Sequence, residues 1–389
     1  MIRYHFAVVV ALLSAGIGGA RPAPPVEHDP ALESVPEGEA ARIDNIVRMT
    51  VEQMKKRYPG AAPVARGVHP KDHGCVMARF QVLDTVPEEL RVGIFAKPGR
   101  EYQAFIRYSN ADVLIRPDST PGKHGSRGMA IKLLRVEGTQ LVPKDEPLTQ
   151  DFLLVNHPVF AFANVEDYEA LSRVLLDNKD EPGKFFSGRI PLGGEVGKRA
   201  KASLDIAQRI GSLKFDPADP SKGAFQNPPA SPEENVYYSG APYGFGPDRA
   251  MKYSVAPVAP AGNAEPDVAD PNYLRTALTK RLTGPDAKEI VLEFRVQVRT
   301  KQQLAGNLEL EIENACTEWK DECRTVARIT IPLQDFNADA ARRRCENLFF
   351  TPWHSLKEHR PLGGINRLKL GVYAASSDFR HIPKEPSSY

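Results

Sequence analysis

The sequence has little that would tie it to a strongly charged partner. Its 51 Lys and Arg stand against 49 Asp and Glu, a formal charge of +2 over 389 residues. The basic residues are scattered, which excludes the clustered face that nucleic acids select. Cysteine is scarce. The four residues Cys75, Cys316, Cys323 and Cys345 fit no zinc spacing. Cys316 and Cys323 share one short loop, Cys-Thr-Glu-Trp-Lys-Asp-Glu-Cys, and a local disulfide is expected there. Cys75 reads as a core thiol on a strand. No H-E-x-x-H, C-x-x-C, phosphate loop or G-x-S-x-G element occurs, so the chemistries built on those motifs have no foothold. There is no internal repeat. Beyond the N-terminus no apolar run approaches the ~20 residues a membrane span needs, and no stable membrane insertion is expected.

What is present begins with a leader. Met1-Ile2-Arg3-Tyr4-His5-Phe6 gives a basic start, Ala7 to Leu13 an apolar run, and small residues follow to Ala20. This is a signal-peptide pattern with a run too short for an anchor, so periplasmic or secreted protein is expected. Residues 21–33 read as a Pro-rich linker, and residues 34–389 as one domain. The 34 prolines mark many ordered turns. Ser34-Val35-Pro36-Glu37 has the form of a capping box and predicts a helix from Gly38 to Arg57, closed by Pro59-Gly60. Val76, Ala78, Phe80 and Val82 alternate with polar or exposed-type neighbours, as do Leu292, Phe294, Val296 and Val298. Ala327, Ile329, Ile331 and Leu333 repeat the pattern, so all three runs predict half-buried strands. Further strands are expected at Gln103–Tyr108, Gly128–Val136 and Met251–Pro257. Helical spacing marks Val165–Leu176, Gly197–Ile210 and Ile365–Arg380, and Pro217–Pro232 reads as a loop. Strands separated by long insertions predict an α+β domain, a closed antiparallel β-barrel with helices outside.

Chemistry concentrates in a few segments. In the last helix Lys369, Tyr373, Ser376 and Arg380 are spaced by four, three and four residues, which puts them on one stripe. A phenol flanked by cations favours the phenolate, a hard ligand for ferric iron. Upstream, Arg66-Gly67-Val68-His69 offers a general base with an anion clamp three residues before it. The other segments are Arg107-Tyr108-Ser109, Arg127-Gly128-Met129-Ala130-Ile131-Lys132, Asp151 to Phe162, and Trp353-His354 leading to His359-Arg360-Pro361-Leu362-Gly363-Gly364-Ile365-Asn366-Arg367.

In order and spacing these segments resemble the haem catalase superfamily, over roughly Pro63 to Arg380. The pattern R-x-V-H-A-K-G-x-G is similar to Arg66–Gly74, R-F-S to Arg107–Ser109, R-G-x-A-x-K to Arg127–Lys132, D-L-x-x-N-N-x-P-x-F-F to Asp151–Phe162, and the proximal helix pattern to Lys369–Arg380. The W-H-x-L-x-x-H-R-P-L-G-G-I-N-R stretch resembles the shorter bacterial catalase-like proteins. The resemblance implies a catalase-like barrel lacking the C-terminal helical region of full-length catalases. It implies ferric haem, haem b, held by Tyr373 as the metal ligand. His69 would be the distal acid–base group, Asn156 a donor to bound peroxide, and Ser109 the support of the imidazole. Arg66, Arg107, Lys369 and Arg380 would line the haem propionates or flank the phenol, with Phe160 near the distal pocket. A small peroxide would be the substrate, with an organic reductant as a further partner.

The departures are specific. Lys369 stands where catalases have Arg, keeping the charge and losing the planar fork. Ser376 replaces Thr, Ala375 replaces Asp, Pro70 follows His69, and Asp72 replaces Gly. They leave haem binding expected and leave room for peroxidase activity beside dismutation. A second reading is a fatty-acid hydroperoxide isomerase or lyase of the allene oxide synthase kind, where Thr precedes the distal His. Here Val68 precedes it. A third is a non-catalytic exported protein that kept the fold. Among other histidines, His157 reads as a strand-end residue, His73 and His124 as solvent-exposed, and His354 and His359 as structural hydrogen-bonders. An oligomer smaller than the usual catalase tetramer is expected.

Overall fold

The computed structural model of the chain describes residues 28–60, 64–118, 125–142, 148–178, 182–212, 230–258, 267 and 269–380. The leader, His124 and most of the Pro217–Pro232 loop lie outside the described residues. In chain order the elements are α1 (Glu39–Arg57), β1 (Asp72–Val82), β2 (Glu101–Asn110), β3 (Arg127–Leu134), β4 (Thr149–Val155), α2 (Val165–Asp177), α3 (Gly183–Arg189), α4 (Gly194–Ser212), β5 (Tyr237–Tyr238), β6 (Tyr243–Gly244), β7 (Arg249–Pro257), α5 (Tyr273–Thr283), β8 (Ile290–Thr300), α6 (Lys301–Leu304), β9 (Arg324–Ile331), α7 (Asp339–Asn347) and α8 (Gly364–Phe379).

All strand pairings are antiparallel. The sheet runs β5-β4-β3-β2-β1-β9-β8-β7-β6, and β5 also pairs with β7. That extra pairing closes eight of the strands into a barrel, with β6 appended to β7. Closure removes the free edges that an open sheet would expose. The alternating runs supply the interior. Phe80 of β1, Phe152 of β4 and Phe294 of β8 point inward; the Phe152 and Phe294 rings lie 4.8 Å apart and the Phe80 and Phe294 rings 5.4 Å. Tyr253 of β7 meets Phe152 edge-on at 5.0 Å. The barrel is therefore a packed aromatic core, not a channel.

The predicted strands form nearly where the alternation puts them, and the exceptions have local causes. β9 stops at Ile331 because Pro332 has no N–H for the ladder, and Leu333 is 56% exposed. The capping box does not form. α1 starts after Gly38, which takes a left-handed φ of 76°, and the backbone N–H of Ser34 donates instead to Glu313 Oε1. His73 is a correction: it is fully buried, not exposed. The register of β1 against β2 slips between Asp72 and Gly74, so His73 is the extra residue of a β-bulge. The bulge turns its ring inward, where Nε2 meets Asn110 Oδ1 at 2.9 Å. Gly74 at φ 151° makes the bulge possible, since a Cβ there would lie 2.8 Å from the Phe336 ring. The expected Cys316–Cys323 disulfide is also absent. All four cysteines are free thiols: Cys323 is exposed, while Cys316 Sγ donates to the Phe160 carbonyl at 3.4 Å.

Helices cover one side of the barrel. α8 buries Ile365, Leu368 and Val372 against Ile43, Ile46 and Val47 of α1 and Val165 of α2. Its start is clasped electrostatically. Arg367 bonds Glu39 Oε1 at 2.6 Å, Glu313 Oε2 at 2.7 Å and Glu33 Oε1 at 2.5 Å, all four side chains being buried. Thus Leu32 and Glu33, at the end of the Pro-rich stretch, belong to the packed body. His354 and His359 are buried hydrogen-bonders, His354 Nδ1 against Asp151 Oδ2 at 3.1 Å and His359 Nε2 accepting from the Ile94 N–H at 3.1 Å.

Candidate functional site

A cleft opens between the outer face of the barrel and α8. It encloses about 990 Å³ of space between atoms, its open mouth included. The whole stripe expected from helical spacing lines it: Lys369, Tyr373, Ser376 and Arg380. The opposite contribution comes from the barrel side, where His69, Arg107, Ser109 and Ala130 reach the same cleft. The walls between are largely apolar, with Val68, Leu153, Phe160, Phe349 and Phe350 among them.

His69 is held in place from four directions. Its Nδ1 lies 3.0 Å from Ser109 Oγ. Its N–H donates to the Asp112 carbonyl at 2.8 Å, and its carbonyl accepts from Arg107 Nη2 at 2.9 Å. The ring rests on Gly128, where an added Cβ would come within 2.5 Å of Nδ1. The residue takes φ 54°, a left-handed conformation that a histidine adopts at a cost and that these contacts sustain. Burial, then Arg107, Lys369 and Arg66, pushes its pKa down to about 3. The imidazole is therefore neutral at ordinary pH and free to accept a proton.

Three guanidiniums gather at one end. Arg66 donates to Glu346 Oε2 at 3.0 Å and to the carbonyls of Cys345 and Leu348 at 3.0 and 2.8 Å. Arg380 donates to the Glu346 carbonyl at 2.7 Å. Arg107 Nε is buried with no partner. Burial, then the Arg66 charge, pushes Arg380 down to about 9, while Arg66 is lowered by burial and by Arg107. Burial also works against the Arg107 charge, but Asp72 and other neighbours outweigh it and raise that pKa. Glu346, whose side chain is 49% exposed, is the carboxylate paired with Arg66 and Arg380. The cluster has more cation than anion and favours an acidic ligand.

One expectation changes here. The cations do not set the state of Tyr373. Burial, then Tyr168 and Tyr243, raises its pKa, so the phenol carries its proton in the absence of a metal. Lys369 donates to Asn366 Oδ1 at 3.0 Å and sits 5.7 Å from the Phe160 ring centre; burial pushes its pKa down to about 8. Asn156 is the one expected residue that the cleft does not include. Its Oδ1 accepts from the Arg127 N–H at 2.8 Å and its Nδ2 donates to the Gly125 carbonyl at 2.9 Å, so it ties the end of β4 to the start of β3. His157 beside it interacts locally with Val159, as its strand-end position implied.

Sequence reasoning missed Thr50 and Glu346. Thr50 of α1 lies one turn beyond Ile46 and Val47, on the stripe that faces α8, and that spacing was the available signal. Glu346 sits next to a quoted motif, but only the folded positions of Arg66 and Arg380 reveal its role.

The residues fit a planar, acidic, iron-bearing macrocycle. Its apolar faces would meet the Val68, Leu153 and Phe160 walls, its carboxylates the arginine cluster with the unpartnered Arg107 Nε, and its iron the Tyr373 oxygen. Among the described residues no group of three or more His, Cys, Asp or Glu is placed to hold a bare metal ion.

No protein-family model and no curated protein sequence matches this chain. Solved structures do. A fungal catalase aligns with a TM-score of 0.62 at 15% identity over 98% of this chain and 70% of its own. Catalase A from Saccharomyces cerevisiae gives 0.62 at 16% identity over 94% and 70%. A bacterial catalase gives 0.59 at 13% identity over 98% and 67%. With the eight-stranded closed barrel and helices packed on its outer face, these alignments establish that the chain has the catalase-like fold.

Proposed function

We propose that this protein breaks down hydrogen peroxide or an organic peroxide with a ferric haem held by Tyr373. One observation carries the reading: a buried neutral histidine backed by Ser109 shares an apolar cleft with a tyrosine and three arginines. When bound, haem supplies a redox-active ferric iron for cleaving an O–O bond. The rest falls to the chain. Arg66, Arg107 and Arg380 hold the carboxylates by charge-assisted hydrogen bonds. Val68, Leu153, Phe160 and Phe350 keep water from the faces of the macrocycle. His69 takes the proton from a peroxide O–H at its Nε2 and returns it to the departing oxygen, while Ser109 fixes the ring through Nδ1. Asn156 Oδ1 and one Nδ2–H are engaged by backbone groups, which leaves its second Nδ2–H as the donor to bound peroxide.

Lys369 supports peroxidase activity beside dismutation. Bound to Asn366, it does not grip the phenol as a forked guanidinium would. The leader pattern supports a periplasmic or secreted location, and N-terminal sequencing of protein recovered from the host tests it: an intact Met1 on cytoplasmic protein overturns it.

The test of function uses haem-loaded protein. Oxygen evolution from hydrogen peroxide, or oxidation of a phenolic dye by peroxide, is expected. Turnover of linoleate hydroperoxide with neither of those activities would favour the isomerase or lyase reading. Bound haem with no reaction toward any peroxide would overturn the proposal.

A further inference from the structure

Glu346 engages two arginines of the cleft without lining it. Its carboxylate Oε2 accepts from Arg66 Nη1 at 3.0 Å and lies 3.5 Å from Arg380 Nη2. Both guanidiniums line the cleft and are largely buried, with side chains 12% and 6% exposed, whereas the Glu346 side chain is 49% exposed. The carboxylate therefore reaches the cluster from the solvent side. The backbone beneath it is fixed separately. The Glu346 carbonyl accepts from Arg380 Nη2 at 2.7 Å, and the carbonyls of Cys345 and Leu348 accept from Arg66 Nη2. The end of α7 thus stays docked if the Glu346 side chain turns away. Arg342 and Arg343 stand exposed one turn earlier on α7, at the spacing that lets a carboxylate at 346 reach them.

We infer, resting on the haem reading above, that Glu346 is an internal occupant of the arginine cluster, a carboxylate with which the carboxylates of haem compete for Arg66 and Arg380. A guanidinium N–H aimed at one carboxylate oxygen is not open along the same line to another, and a second anion at that distance adds repulsion. Arg107 differs from the other two. Its Nη2 holds the His69 carbonyl at 2.9 Å, and its buried Nε has no partner. An acidic ligand can therefore meet Arg107 directly, and it gains Arg66 and Arg380 in full only as the Glu346 side chain swings out. The swing has a cationic partner at both ends: the cluster arginines inside, and Arg342 or Arg343 on the exposed face of α7.

The consequence is that a charge outside the cleft sets the affinity inside it. An ion pair with one half-exposed partner is weak, so an acidic ligand can displace it, at the loss of part of its own binding. A macrocycle of the same shape without carboxylates would not sense residue 346.

Absorbance titrations of the full chain test this, with haemin and with haemin dimethyl ester, whose carboxylates are blocked, on wild type and on Glu346→Gln. Glutamine keeps the size of the side chain and removes the charge. Glu346→Gln is expected to bind haemin about fivefold more tightly than wild type, the effect of removing one half-exposed competing carboxylate. It is expected to bind the dimethyl ester with wild-type affinity. Equal or weaker binding of haemin by the variant would overturn the inference and leave the haem reading standing. So would an equal gain with the dimethyl ester, because Glu346 would then act on the shape of the cleft and not on the carboxylates. A wild-type chain that binds neither compound would overturn the haem reading, and the inference with it. Glu346→Ala serves the same comparison if the glutamine variant folds poorly.

Discussion

At His69, burial together with Arg107, Lys369 and Arg66 keeps the imidazole neutral down to about pH 3. A base protonated only that far down holds its activity across the ordinary range. Peroxide cleavage by haem-loaded protein is therefore expected to stay level between about pH 8 and about pH 5, a window well above the acid limb of the base. A half-maximal point near the ordinary histidine value, in protein still folded by circular dichroism, would show that another group moves the proton. His69→Ala is expected to retain haem and to slow cleavage by about 10²-fold or more. Rapid-mixing absorbance with excess peroxide measures this, and an unchanged rate would remove His69 from the scheme. The cleft brings together His69, Ser109, Tyr373 and the arginines, which the sequence singled out because each belongs to a short motif with a fixed chemical type. At Asn156 the backbone bonds of the amide were not legible, because an amide can serve a ligand or a backbone edge and motif spacing does not distinguish the two. The state of Tyr373 was misjudged similarly, since helical spacing counts nearby cations but not the desolvation that outweighs them.

Helix α8 carries Lys369, Tyr373 and Ser376 with Arg380 capping its end, and its start is held by Arg367 among three glutamates. Hydrogen bonds that the guanidinium donates to Glu39 and Glu313 outweigh burial and raise the arginine's pKa, while burial raises that of Glu313. Removing only the cation leaves three buried carboxylates without a counter-charge, although backbone N–H groups still donate to Glu33 and Glu313. Arg367→Ala is thus expected to cost about 3–5 kcal/mol of stability. Urea denaturation measures it, and a loss below about 1 kcal/mol would show that the carboxylates are paired adequately without it. The helix was readable from its apolar spacing, but the clasp was not. Glu33 and Glu39 lie about 270 residues before Glu313 in the chain, and Glu33 falls in a stretch whose composition reads as linker. The bulge at His73 was hidden in the same way, because alternation shows where a strand runs and not where one residue has been inserted.

Across the whole molecule, buried histidines set the response to acid. His73 and His359 are both lowered by burial, His73 also by Arg127 and Lys71, and His359 to about 4 from 6.5. Each is neutral in the folded chain and takes a proton more readily once unfolded. Their contribution is therefore complete above pH 6.5 and is lost as pH falls toward the folded values. Each is expected to remove about 1.4 kcal/mol per pH unit within that window. Urea midpoints measured between about pH 7 and about pH 4 should fall steadily, and His359→Gln, if folded, should flatten the slope. A midpoint that rises with acidity would contradict the burial of these rings. The barrel that buries them was expected from alternation, although its closure through the two-residue strand β5 was too short to see in sequence.

The claim on which the rest depends is that Tyr373 holds haem in this cleft, and a spectroscopic titration tests it most directly. Haemin added to the purified full chain is expected to give a Soret band that saturates at one equivalent, with the absorption of a tyrosinate-ligated ferric haem. Tyr373→Phe, with unchanged far-ultraviolet circular dichroism, is expected to lose that spectrum and most of the bound haem. A Tyr373→Phe protein that binds haem with the wild-type spectrum, or a wild-type chain that binds none, would contradict the account.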